Sequence, residues 1–226
     1  GTDENPAPES AALSDPASPP LSAADALQSF LDAASPEERI LSCLPAPESA
    51  ERMRLYPDQS PVGAAVAGFR LLSTTTAAET NRQRLAFELR LRESSRVFPA
   101  FVQNTGEGFG VDWQACIQFK DSLLRRFCEG SFDLWNDLYV ILQRGHNYED
   151  ESANETLHWF ILSSPGSPGF DQRVFVERDS ELGRELDSRF EFQKEYQVVA
   201  VLDRQTGEGG QPVMRLSGIA RFHWEL

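Results

Sequence analysis

At Val62 the spacing of apolar residues changes from a helical period to a period of two. This switch limits the chain to folds that set helices before an antiparallel sheet. Upstream of it, Leu27, Phe30 and Leu31 share one face of a helix expected over residues 23–33. Ser35-Pro36-Glu37-Glu38 then places Ser at N-cap, Pro at N1 and Glu at N3, a capping-box start for a second helix through Ile40, Leu41 and Leu44 that Pro45 stops. Pro47-Glu48-Ser49-Ala50 opens a third short helix, finished by Pro57. Downstream of the switch, Leu85, Phe87, Leu89 and Leu91 alternate with Arg84, Glu88, Arg90 and Arg92, the pattern of a strand with one wet face. Its expected partner is 62–73, joined through a polar loop at 74–81. A third strand, 97–102, returns through Phe109 to Val111.

The pattern then turns helical and extended again. Asp112 is a suitable N-cap for a helix carrying Trp113, Cys116, Ile117 and Lys120. Leu123, Leu124 and Phe127 mark another helical stretch, which Gly130 is placed to end. Strands are expected at 134–143, 157–163 and 172–177, and the first two are apolar on both faces, as central strands are. Asp179 or Ser180 caps a helix through Leu182 and Leu186, and strands at 196–202 and 213–224 follow, joined by the glycine-rich turn 205–212. The reading is an α+β protein in two halves, 23–130 with helices and an antiparallel sheet, and 131–226 with three strands, a helix and two strands. No internal repeat of solenoid period is present.

Composition narrows the function classes. At 226 residues the chain has room for one large domain or two small ones, and its 40% hydrophobic content is ordinary for a folded protein. Residues 1–22 hold five prolines and, before Leu21, one aliphatic side chain larger than alanine, too little apolar surface to offset ordering entropy, so a disordered spacer is expected there. A chain opening on Gly1 rather than Met reads as having lost an N-terminal segment at a processing site or fusion scar. A Pro/Ala/Ser spacer behind such a segment points to an exported or membrane-tethered, extracytoplasmic protein; an interdomain linker would read the same. No run of about 18 apolar residues offers a membrane span. The formal charge is −14, with four acids and no base in residues 1–20 and 17 acids against nine bases in 131–226. That balance repels phosphate backbones and anionic lipid, so no nucleic-acid partner is expected.

The first half, helices followed by antiparallel strands that finish in Gly110-Val111-Asp112-Trp113, resembles the cone-shaped NTF2-like or cystatin-like family. The second half is similar in element order to the OB-fold, with its helix between the third and fourth strands. With its spacer, Val111-Asp112-Trp113 and Arg144-Gly145-His146-Asn147-Tyr148, the whole chain also resembles uncharacterised bacterial proteins of planctomycete and verrucomicrobial type. These proteins are tethered behind a low-complexity linker, and the resemblance implies no activity. NTF2-like enzymes use a cavity carboxylate and a tyrosine, but neither aligns to a position here.

Among candidate site residues, the loop Arg144-Gly145-His146-Asn147-Tyr148-Glu149-Asp150-Glu151 is the densest in functional side chains. A rigid sheet often presents function on such a loop, so His146, Tyr148, Glu149 and Asp150 are the candidate ligand or partner contacts. The plain alternative is a solvated hairpin loop. Cys43, Cys116 and Cys128 lack C-x-x-C spacing and read as buried free thiols, with one disulfide through Cys43 as the alternative in an oxidising compartment. His158 and His223, each between apolar neighbours, read as half-exposed strand histidines able to meet across a sheet rather than as metal ligands. Trp113, Trp135, Trp159 and Trp224 read as core, with the Trp113 indole closing the junction between the halves. Asn154-Glu155-Thr156 fits a glycosylation acceptor. No phosphate-loop, dinucleotide, nucleophile-elbow or zinc-protease motif occurs, and no metal or cofactor is implied. The expectation is a non-enzymatic binding or interaction module of unspecified protein or small-molecule partner; the alternative is a small-molecule enzyme using an NTF2-type cavity. A deep apolar pocket with an inward carboxylate or histidine would favour the enzyme, and a filled cone the module.

Overall fold

A computed structural model of the protein describes residues 22–76, 81–145, 156–207, 210 and 212–224. The expected spacer lies outside these residues except for Ser22. That serine caps α1 (Ala23–Asp32), accepting from Asp25 N at 3.2 Å while Asp25 accepts from its backbone in return. In α2 (Pro36–Ile40) Ser35 accepts from Glu38 N as expected, but Glu38 reaches back to Ala34 N at 2.8 Å rather than to the cap residue. The helix stops at Ile40, short of the expected Leu44, and Leu41 is left exposed. α3 (Pro47–Leu55) follows.

Residues 62–65, expected as strand, are helical: α4 (Val62–Ala65) packs against α1 so closely that a Cβ on Gly63 would stand 2.8 Å from Leu31 O. Close helix packing prevails there over the β-branched start of the segment. The sheet is a meander of β1 (Val66–Thr76), β2 (Gln83–Leu91), β3 (Val97–Asn104) and β4 (Phe109–Val111), antiparallel throughout. β1 runs into the expected polar loop as far as Thr76. Threonines suit extended backbone, and Gln83 to Leu85 supply their cross-strand partners. One face of the sheet holds Phe87, Leu89, Phe98 and Val102, all buried, and α1 packs over its β3–β4 end. The opposite face turns Phe101 towards Phe119 on α5 (Trp113–Lys120), which Ser122, in the left-handed region, separates from α6 (Leu123–Cys128).

The second half is a closed barrel in the order β5-β6-β7-β9-β8, built from β5 (Asp137–Arg144), β6 (Leu157–Ser163), β7 (Gln172–Glu177), β8 (Glu195–Thr206) and β9 (Pro212–Arg221). β7 and β9 pair parallel and the other neighbours antiparallel. α7 (Glu181–Arg189) lies between the third and fourth barrel strands in sequence, as expected, and Ser180 rather than Asp179 is its N-cap. The α+β class is therefore the observed one. β5 begins at Asp137, three residues later than expected, and β9 ends at Arg221, leaving His223 and Trp224 in bends beyond it.

A single buried cluster extends from Ala23 to Trp224, across the boundary expected at residue 130. Trp224 packs between Phe101 and Phe119 while its Nε1 donates to Val198 O at 2.9 Å, so the last described residue ties sheet, α5 and barrel together. Gly166, in the barrel loop after β6, touches α5 directly: a Cβ there would lie 2.4 Å from Phe119 Cα. Arg96 spans the same boundary, donating to Ser122 Oγ at 2.6 Å, to Gly166 O at 2.7 Å and to Lys120 O.

Candidate functional site

Asp112 stands where β4 hands over to α5, and its carboxylate does more than cap the helix. Oδ1 accepts from Ala115 N at 3.1 Å, and Oδ2 accepts from the Tyr139 hydroxyl at 2.7 Å. Tyr139 lies on β5, on the strand face that α5 covers. Gln118 clamps it there, accepting from Tyr139 N at 2.8 Å and donating to Tyr139 O. Arg221, the last residue of β9, donates through Nη2 to the Tyr139 hydroxyl and lays its guanidinium 5.1 Å from the ring centroid. Carboxylate, phenol and guanidinium thus form a chain running from the helical half into the barrel.

A second polar group lies beside it. Arg52 of α3 grips Asp137 of β5 at 2.9 and 2.8 Å in a forked pair, and its Nη1 also donates to Gln114 Oε1 at 2.8 Å. Gln114 in turn donates to Asp137 O at 2.8 Å. The two groups border a pocket of about 270 Å³ between the α2–α3 segment, the start of α5 and the barrel, with Glu48 exposed at its rim.

Burial sets the electrostatics. It raises the Asp112 carboxyl above the usual range, against the pull of the Tyr139 hydroxyl, Ala115 N, Arg221 and Arg84. Burial also drives the Tyr139 phenol well above its ordinary value, with the charge of Asp112 adding to it. The thiols are kept in the same inert direction. Cys116 and Cys128 are each pushed up to about 12, chiefly by burial, and Cys43 is raised by burial and its neighbours. All three are free. Lys120 is pulled down by burial, but Asp121 at 2.8 Å and Asp58 at 3.3 Å outweigh this and hold it charged.

The expected contacts His146, Tyr148, Glu149 and Asp150, and the acceptor Asn154, lie outside the described residues. The preceding Arg144 pairs with Asp187 of α7 and covers the Phe192 ring at 4.1 Å. The histidines do not meet. β6 and β9 are not neighbours in the barrel, and His223 is exposed beyond the end of β9. His158 is buried rather than half-exposed: it is an inward residue of β6, 3.8 Å from Asp187. Trp113, Trp135 and Trp224 are core, and Trp113 does reach across the boundary, to Trp135 at 5.9 Å, while its other side meets Tyr56 of its own half at 6.2 Å. Trp159 is only half-buried, with Arg173 over its ring at 4.8 Å, because it belongs to the outward set of β6. Of the pocket's groups only Asp112 and Trp113 stand out in the sequence. Tyr139 and Arg221 lie 27 residues from Asp112 and 82 from Tyr139 respectively, and no local pattern links them. Tyr139, a polar-tipped residue in an apolar strand, is the one signal pointing to a buried hydrogen bond.

No family model, curated protein or solved structure matches the chain.

Proposed function

We propose that the protein is a non-enzymatic binding module that takes a small polar ligand in the pocket between its two halves. The observation that carries this reading is the commitment of the pocket's ionisable groups. Asp112 Oδ1 is used in capping α5, and Asp112 Oδ2, the Tyr139 hydroxyl and the Arg52–Asp137 fork are used in bonds that join the halves. A general base needs a lone pair within reach of a substrate proton, and a nucleophile needs a lowered pKa; Asp112 is buried with each oxygen already accepting from a protein donor, and the thiols are shifted the wrong way. What remains is a rigid rim of donors and acceptors, notably the partly exposed Arg52–Asp137 pair and Gln114, suited to a ligand that carries both kinds of group. Among the described residues the sheet of the first half packs Phe87, Leu89, Phe98 and Val102 into the buried core, which favours the module over an NTF2-type enzyme. The extracytoplasmic, tethered setting is part of the same proposal and rests on the composition of residues 1–22 alone.

One observation favours the second reading, a small-molecule enzyme: a buried carboxyl with a raised pKa next to a tyrosine at the pocket wall is a combination able to transfer protons. A ligand-observed NMR screen of small polar compounds, run on the protein and on Arg52→Met and Asp112→Asn variants, separates the two. The binding module predicts saturable binding that Arg52→Met abolishes, with no chemical change in the bound compound. Turnover that disappears in a folded Asp112→Asn variant would establish the enzyme instead.

A further inference from the structure

We propose that the outer edge of β1, over Gly68–Leu71, is a docking site for a short acidic peptide segment that adds as an extra strand; this site is separate from the pocket between the halves. β1 ends the sheet, and no strand pairs with its outer edge among the described residues. An open edge presents a row of backbone donors and acceptors to any extended chain of fitting pattern. Bulges interrupt β1 between Val66 and Gly68 and between Leu71 and Ser73, so Gly68, Phe69, Arg70 and Leu71 form one regular run of it, set off from a second run over Ser73–Thr76.

The groove falls on that same stretch. A shallow depression of about 520 Å³ is lined by Gly68, Phe69, Arg70, Glu88, Arg90 and Val97, and a Cβ on Gly68 would meet nothing within 4 Å. Its charge is opposite to that of the molecule. Residues 66–97 carry six arginines against three glutamates, whereas the rest of the chain carries 15 bases and 32 acids. On the groove face Arg70 and Arg90 reach solvent, Arg70 paired with Glu88 at 2.7 Å. On the opposite face Phe69 is half-buried and Leu71 is 52% exposed; at the second bulge Leu72 is 51% exposed. An extended segment alternating acidic and apolar residues matches both faces at once, acids over Arg70 and Arg90 and apolar side chains beside Leu71. A second copy of the chain fits less well, because β1 against β1 would set the same arginine-bearing surface against itself, and the bulges break the ladder into two short runs. A nucleic-acid strand would meet the arginines but leave the backbone edge and the leucines unused.

The probe is a synthetic, end-blocked peptide alternating Glu and Val, with a Lys/Val analogue as control, titrated into the full chain by calorimetry and by amide NMR. The expected result is saturable binding of the acidic peptide, weakening as salt rises, with shift changes confined to residues around Gly68–Leu71. Arg90→Glu and, separately, Arg70→Glu should each weaken it by about tenfold or more, because like charges then face each other. Both side chains are exposed, so the variants should melt with the parent protein. Equal binding of the Lys/Val analogue, absence of saturable binding, tighter binding of a single-stranded oligonucleotide, shift changes elsewhere, or a dimer broken by the same substitutions would each overturn the proposal.

Discussion

Trp113 is the residue on which the junction turns. Its indole is buried between Tyr56 of the helical half and Trp135 of the barrel half, and it follows directly on the Asp112 cap. Truncating a large buried aromatic removes its transfer free energy and leaves a cavity that tightly packed neighbours cannot close. Trp113→Ala is expected to cost about 3 to 5 kcal/mol in chemical denaturation. A cost within about 0.5 kcal/mol, usual for surface changes, would show that the indole is not structural. The sequence supports this placement through an N-cap aspartate followed by a large apolar residue, yet it leaves the partner of Asp112 open, because a hydrogen bond between residues 27 apart has no local signature.

At the scale of elements, the stability of the barrel end beneath α7 is expected to depend on pH. His158 faces inward from β6, and burial lowers its pKa, with Arg144 and Arg178 reinforcing the shift and Asp187 opposing it. A histidine whose folded pKa is depressed binds a proton more readily in the unfolded chain. Its contribution is therefore complete above about pH 6.5 and is lost as pH falls from there towards the folded pKa. Denaturation midpoints measured from pH 7.5 down to 5 should fall for the parent protein and fall less for His158→Gln; parallel curves would remove His158 as the cause. Element identity was widely legible in the sequence because alternation and caps are local. Leu85–Leu91, the Ser35 and Asp112 caps and the placing of α7 between the third and fourth barrel strands all follow from spacing alone. Residues 62–65 read differently because the packing of Gly63 on Leu31 joins segments some 30 residues apart. His158 and His223 read as neighbours because alternation gives a residue's face but not the strand order of a closed barrel.

For the whole molecule, the two halves are expected to unfold as one cooperative unit with the pocket at their seam. Arg96, Gly166, Trp224 and the Asp112–Tyr139–Arg221 chain all cross that seam, and one buried cluster runs through it. A charged or hydrogen-bonded group that crosses a buried seam loses its partner if one half opens alone, which penalises partial unfolding. The sequence does not convey this unity, since a composition and period that divide cleanly near residue 130 describe two domains as readily as one. The most direct test is native-state hydrogen exchange read residue by residue with increasing denaturant. The slowest amides of β3 and of β5 should open with the same free energy and the same denaturant dependence, whereas barrel amides that exchange through an opening of their own, with β3 still protected, would contradict a single cooperative unit.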